Sequence, residues 1–228
     1  IGYESLKANT TGIDNTAIGT YAMYANTIGY NNSSVGRSAL QSNTTGINNT
    51  AVGAYALCAN TTGQCNVAIG RQSLNLNTSG SYNTAIGTDS LKANTTGINN
   101  TAVGNSALCV NTTGVRNVAI GAESLNANTV GKYNTSIGTC AMRANITGQE
   151  NTVLGGLALD ASTAGHGNVS IGYASLGSSL VDYNVAIGFG SMFLNTTGIN
   201  NTAVGTETLK ANTTGSQNTA IGYQSLRL

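Results

Sequence analysis

GRSALQSNTTGINNTAV, residues 36–52, and GTDSLKANTTGINNTAV, residues 87–103, are two copies of one seventeen-residue phrase. Working outward from either copy, the chain divides from Gly2 onward into units of the form G-x-x-[AS]-[LM]-x-x-N-T-T-G-x-x-N-[TV]-[AS]-[IV]. Self-similarity at a fixed short period is the signature of a solenoid. Each unit opens on Gly, from Gly2 and Gly19 to Gly205 and Gly222. Only GYASLGSSLVDYNVAI, residues 172–187, is one residue short, and it lacks the glycine of the NTTG turn.

Two segments per unit read as short strands of about five residues, one ending in N-[TV]-[AS]-[IV] and one containing [AS]-[LM]. NTTG between them reads as a tight turn in which Gly supplies a positive φ, and the leading Gly makes the second corner. A helix would carry these glycines at about 1 kcal/mol each relative to Ala. Stacking like on like gives an all-β parallel β-roll or β-solenoid of about thirteen seventeen-residue repeats, 4.8 Å apart, and a rod of roughly 60 Å. Residues 1–228 are read as one such domain, part of a longer array, because Ile1 is the last position of a unit and Leu228 falls within one.

In that stack, one column of side chains is Asn15, Asn32, Asn49, Asn66, Asn83, Asn100, Asn117, Asn134, Asn151, Asn168, Asn184, Asn201 and Asn218. It predicts a structural amide ladder along the stack. Asn9, Asn26 and Asn43 begin a second column at the turn.

Neighbouring positions are both restricted. The residue before the last in each unit is small (Ala17, Ser34, Ala51, Ala68) apart from Val153, and the last is Ile, Val or Leu. Ala39-Leu40 and Ala107-Leu108 repeat the pairing. Since strand side chains alternate between faces, both faces are under a packing constraint. The expectation is a roll filled by Leu and Ile, with the Ala and Ser face against a second chain.

Composition removes several function classes. Of 228 residues only 7% are charged, the net charge is +1, and there is neither Pro nor Trp. That leaves no basic stripe for nucleic acid. No apolar run approaches the length of a membrane span, so no membrane insertion of this segment is expected.

Units such as NTAIGTDSLKANTTG and NVAIGAESLNANTVG resemble the head repeats of YadA-like trimeric autotransporter adhesins. They are similar also to the NTAIG…AL…NTTG arrays of phage-like tail-fibre and bacterial surface proteins. The resemblance implies a left-handed roll and a homotrimer. The departures are the seventeen-residue unit and the lack of a recognisable neck, stalk, anchor or chaperone segment. A second period of fifty-one, as between GRQSLNLNTSGSYNTAI and GAESLNANTVGKYNTSI, leaves open a triangular coil made of three units.

Candidate chemistry is sparse. The single His166 has no Cys, Asp or Glu at metal-ligand spacing, and the serines sit at repeat positions with no base to activate more than one. The expectation is therefore no catalytic, cofactor-binding or metal site, and no enzyme. Lys7, Lys92 and Lys210 follow Glu4, Asp89 and Glu207 by three residues and read as solvated pairs. Cys58 and Cys65 share one coil and could bridge across it, whereas Cys58 and Cys109 stand three coils apart, beyond bonding reach. The Asn-x-Ser/Thr triplets at Asn9, Asn43, Asn60, Asn94, Asn111 and Asn212 read as by-products of the turn. Tyr residues, among them Tyr3, Tyr21, Tyr55 and Tyr173, gather at variable corner positions suited to protein or glycan contact.

The expected function is a structural extracellular fibre or adhesin module at a cell surface, associating with itself as a trimer or filament and with a host-surface protein or glycan as possible partner. The alternatives are the shaft of a virion tail fibre and an ice- or carbohydrate-binding solenoid that uses Thr columns such as Thr10-Thr11 and Thr44-Thr45.

Overall fold

The structure, a computed structural model, describes residues 1–177 and 182–227. It divides into two compact units, Ile1–Val115 and Arg116–Leu228. The first carries β1 (Thr16–Ile18), β2 (Ser33–Val35), β3 (Thr50–Val52), β4 (Val67–Ile69), β5 (Thr84–Ile86) and β6 (Thr101–Val103). The second carries β7 (Val118–Ile120), β8 (Thr135–Ile137), β9 (Thr152–Leu154), β10 (Val169–Ile171), β11 (Val185–Ile187), β12 (Thr202–Val204) and β13 (Thr219–Ile221).

Both units are all-β solenoids. In the first, consecutive strands pair in parallel with equivalent residues opposed, Thr16 to Ser33, Ala17 to Ser34 and Ile18 to Val35, and so on to Thr84 against Thr101. Pairing at an offset of seventeen means that one repeat closes one coil, which overturns the three-unit triangular reading. In the second unit, Val169 of β10 faces Val185 of β11, sixteen residues on, so the short repeat keeps its strand register. Residues 178–181, where that repeat lacks its turn glycine, lie outside the described residues, as does Leu228.

The second predicted strand does not form. Glu4 and Leu6, at the third and fifth positions of the unit, lie at φ of 53° and 52°, and the equivalent residues do so coil after coil. Ser5 N–H donates to Gly2 O at 3.3 Å and Asn9 N–H to Leu6 O at 3.2 Å, giving two successive tight turns. The first has its positive φ at the third residue, as a type II turn requires. Between them, Leu6 N–H donates to Ala22 O at 3.0 Å and Ala8 N–H to Tyr24 O at 3.1 Å, both on the next coil. The stack thus satisfies this backbone without a ladder of extended residues.

The core is thin. The middle residue of each strand points inward, Ala68 being fully buried, and meets the [AS]-[LM] corner. Ser34 Oγ donates to the Ala39 carbonyl at 2.8 Å, so one serine side chain spans the gap between strand and corner. Ala or Ser fills that place in every coil but one, where Val153 is fully buried, and Leu40, Leu57, Leu91, Leu108 and their equivalents supply the apolar volume. Each such Leu contributes roughly 1.5–3 kcal/mol by burial. The Ile and Val that close each unit are not core, contrary to expectation. Ile69 is 40% exposed. The Ala and Ser positions are restricted by the chain's own interior, and the outward face is the aliphatic one.

The glycine of NTTG also has a different task from the one predicted. Its φ is not in the left-handed region, whereas the leading Gly36 is at 135°. A Cβ on Gly46 would lie 2.5 Å from Gly63 O and 2.3 Å from Asn43 Oδ1, so close stacking excludes a side chain.

Candidate functional site

The first candidate is the predicted amide ladder. In the first unit, Asn49 Nδ2 donates to Asn32 Oδ1 at 3.2 Å and to Gly63 O at 2.8 Å, and its backbone N–H donates to the same Oδ1 at 2.9 Å. Both amide donors and the acceptor of each interior Asn are thereby used, which is the condition for burying so many polar groups. Asn15, Asn32, Asn49, Asn66, Asn83 and Asn100 form this column. In the second unit Asn117, Asn134, Asn151, Asn168, Asn184, Asn201 and Asn218 form another. At the short repeat, Asn184 Nδ2 turns to Asp182 O at 3.2 Å while its N–H keeps Asn168 Oδ1 at 3.0 Å.

The turn asparagines form a parallel column. Asn43 Nδ2 donates to Asn26 Oδ1 at 2.8 Å and to Gly46 O at 3.0 Å. Gly46 O accepts from Asn32 as well, at 2.8 Å, so one glycine carbonyl joins the two columns. Asn43, Asn60, Asn94 and Asn111 are fully buried, and their side-chain nitrogens are committed to these bonds. In the folded chain those triplets offer no glycan acceptor. In the second unit the column meets Ser162 in place of Asn, and Asn145 Oδ1 is buried without a hydrogen-bond partner.

The threonines proposed for ice are partly spent. Thr10, Thr27 and Thr44 Oγ1 donate to the next coil's Thr carbonyl at 2.9, 3.0 and 3.1 Å. The N–H groups of Thr10, Thr11 and Gly12 converge on the same Thr27 oxygen.

The cysteines do not pair. Cys58, Cys65, Cys109 and Cys140 are all free and partly buried. Cys58 and Cys65 belong to different corners of their coil, and Cys58 Sγ meets Gln41 Oε1 of the preceding coil at 3.7 Å. Burial raises the pKa of the Cys58 and Cys109 thiols, the opposite of what an activated nucleophile needs.

His166 is held within its corner, its Nδ1 accepting from Gln149 N–H at 3.2 Å and its own N–H donating to Asp182 Oδ1 at 2.7 Å. Lys7 pairs with Glu4 at 2.6 Å and Lys92 with Asp89 at 3.4 Å, and Lys210 pairs with Glu207, as the spacing predicts. Hydrogen bonds from Lys210 and Gln224 hold the Glu207 carboxyl below its usual range. Among the described residues there is no group of three His, Cys, Asp or Glu placed to hold a metal, and no helix long and apolar enough to cross a membrane.

Sequence reasoning misplaced the second candidate, the outward strand face. In the first unit it presents Ile18, Val35, Val52, Ile69, Ile86 and Val103 in one column, beside Thr16, Ser33, Thr50, Val67, Thr84 and Thr101. The second unit presents Ile120 through Ile221 beside Val118 through Thr219. Neither column contains a charged residue. The alternation was legible in the sequence, but which half faces inward depends on the thinness of the core. Comparison with protein-family models, with curated proteins and with solved structures returns no match to this chain.

Proposed function

We propose that the chain is a structural module of an extracellular fibre or surface adhesin, and that copies of it associate through the outward aliphatic face. What carries the reading is that face. Exposed β-branched apolar columns repeat on strand after strand without a single charge, where water-facing sheets normally place charged residues against unwanted pairing. Because every coil presents one small β-branched or hydroxyl residue beside one aliphatic residue at the same spacing, the face of one copy offers another a similar surface in successive registers. A second or third copy of this chain is the natural occupant, and the resemblance to trimeric surface adhesins favours three. The backbone and amide bonds between coils suit a module that supplies length and resists proteolysis. The coils repeat one arrangement, and burial shifts the Cys58 and Cys109 thiols away from reactivity, so neither feature favours a catalytic role.

The test is sedimentation equilibrium of the whole chain beside an Ile69→Lys/Ile86→Lys variant. A homo-oligomer for the natural chain and a folded monomer for the variant are expected. A natural chain that is monomeric at all concentrations contradicts the reading.

One rival keeps a specific observation. The outward strands present Thr-x-Ile and Thr-x-Val on a regular sheet, an arrangement that could order water better than the turn threonines. Thermal hysteresis measured on the same samples separates ice binding from self-association.

A further inference from the structure

One corner of the second unit departs from the repeat. The third position of the unit carries a long or aromatic side chain in many coils, such as Glu4, Tyr21, Gln72, Asp89 or Glu123, and a serine in two, Ser38 and Ser106. In two successive coils it is Ala174 and Gly190, and both phenylalanines of the chain, Phe189 and Phe193, lie beside them. The missing side chains leave a cavity of about 310 Å³, closed further by Leu157, Tyr173 and Lys210. That volume is at the lower end of what small-molecule sites use, and an apolar lining with few polar groups is their usual character. The Tyr173 and Phe189 rings are stacked, 11° from parallel with centroids 5.9 Å apart, so this wall is aromatic and preformed.

The rim carries charge. Lys210 pairs with Glu207, and Arg227 approaches the same carboxylate at 3.3 Å. Two cations around one carboxylate leave a net positive charge beside an aromatic hollow. We propose that this cavity is a binding site for a small aromatic carboxylate, its ring held among Phe193, Phe189 and Tyr173 and its carboxylate bonded to Lys210. The site is independent of the fibre reading, since it lies at a corner and not on the strand face.

The test uses the full chain and 3-phenylpropionate as probe, followed by calorimetry and by chemical shift changes at residues 173–193. Saturable binding with a dissociation constant of about 1 mM is expected for a ligand of about eleven heavy atoms. The neutral 3-phenylpropan-1-ol should bind about tenfold more weakly. Gly190→Gln fills the hollow at a backbone cost that the fold already bears at the equivalent position of other coils. Gly190 is at φ 57°, where Gln72 and Gln224 sit at 58° and 51°, and a Cβ there meets nothing nearer than Glu207 Cγ at 3.9 Å. This variant should fold, melt slightly below the natural chain and lose binding. Lys210→Gln should remove the preference for the acid while leaving the alcohol's affinity unchanged. Unchanged binding by Gly190→Gln, equal affinity for acid and alcohol, or no saturation below about 10 mM overturns the proposal. So does tighter binding of methyl glucoside than of the acid, which would mark a sugar site.

Discussion

At the residue scale, the fold depends on L-residues held where they are seldom found. Left-handed backbone costs a non-glycine residue of order 1–2 kcal/mol, and each regular coil has three such positions, occupied in one coil by Asp89, Leu91 and Asn99 at φ of 58°, 47° and 58°. The strain is offset by the bonds between coils that these conformations aim, for instance Leu91 N–H to Ala107 O at 3.0 Å. A β-branched side chain raises the cost further, because it crowds its own backbone at positive φ. Leu91→Met should therefore change stability by less than about 1.5 kcal/mol, as volume-conserving core exchanges do. Leu91→Ile, of equal volume, should cost about 2–4 kcal/mol. Chemical denaturation of the two variants checks this, and equal costs would refute the strain argument.

The same positions show what was legible. The third, fifth and thirteenth residues of the unit are never Val, Ile or Thr, and the fifth is always Leu or Met. A strand of this composition would use β-branched residues there, as the strand-closing position does. That exclusion was the available signal for a corner. It was overlooked because turn rules look for Gly or Asn at positive φ, and Asp14, Asn31 and Asn48 obey them while Leu6, Tyr21 and Gln72 do not.

At the element scale, the strands are only three residues long, and the amide columns do much of the joining. Their existence followed from the repeat itself, since a polar residue recurring at one position of a stacked unit must bond to its copies. Their coupling through Gly46 and its equivalents did not, because it depends on how far the turn folds back. Asn66→Ala removes the side-chain bonds to Asn49 Oδ1 and Gly80 O, which keep the Asn66 N–H and Asn77 as donors, and takes from the buried Asn83 the acceptor of its backbone N–H and of one amide hydrogen. An orphaned buried donor costs about 1–3 kcal/mol and each other lost bond about 1, so a loss of about 3 kcal/mol is expected by denaturation, against under about 1 kcal/mol for the less buried Asn75→Ala. Among the described residues the column has a natural fault at Ser162. Ser162→Asn would place a donor on the unpartnered Asn145 Oδ1, and its own oxygen could take the Gly165 N–H as Asn195 takes that of Gly198 at 3.1 Å. It should stabilise the chain by about 1 kcal/mol, visible as a raised melting temperature. A lowered one would show that this coil cannot admit the larger amide.

At the scale of the whole molecule, the sequence disclosed that both halves of the strand alternation are constrained but assigned them the wrong way round. A thick core would have taken Ile and Val inward. The corner lies so close behind the strand that Ala and Ser fill the inward position in every coil except that of Val153, and the β-branched residues that close the strands are turned out where a partner can cover them. Nothing in the periodicity states that distance, which arises from the left-handed corner.

Solvent paramagnetic relaxation at the methyl groups tests this arrangement most directly, on the natural chain and on Ile69→Lys/Ile86→Lys. The account predicts that Leu40 and Leu57 methyls are silent in both, while those of Ile18 and Ile120 are protected in the natural assembly and strongly relaxed in the variant. Strong relaxation of Ile18 and Ile120 in the natural chain, or of Leu40 in either, would contradict it.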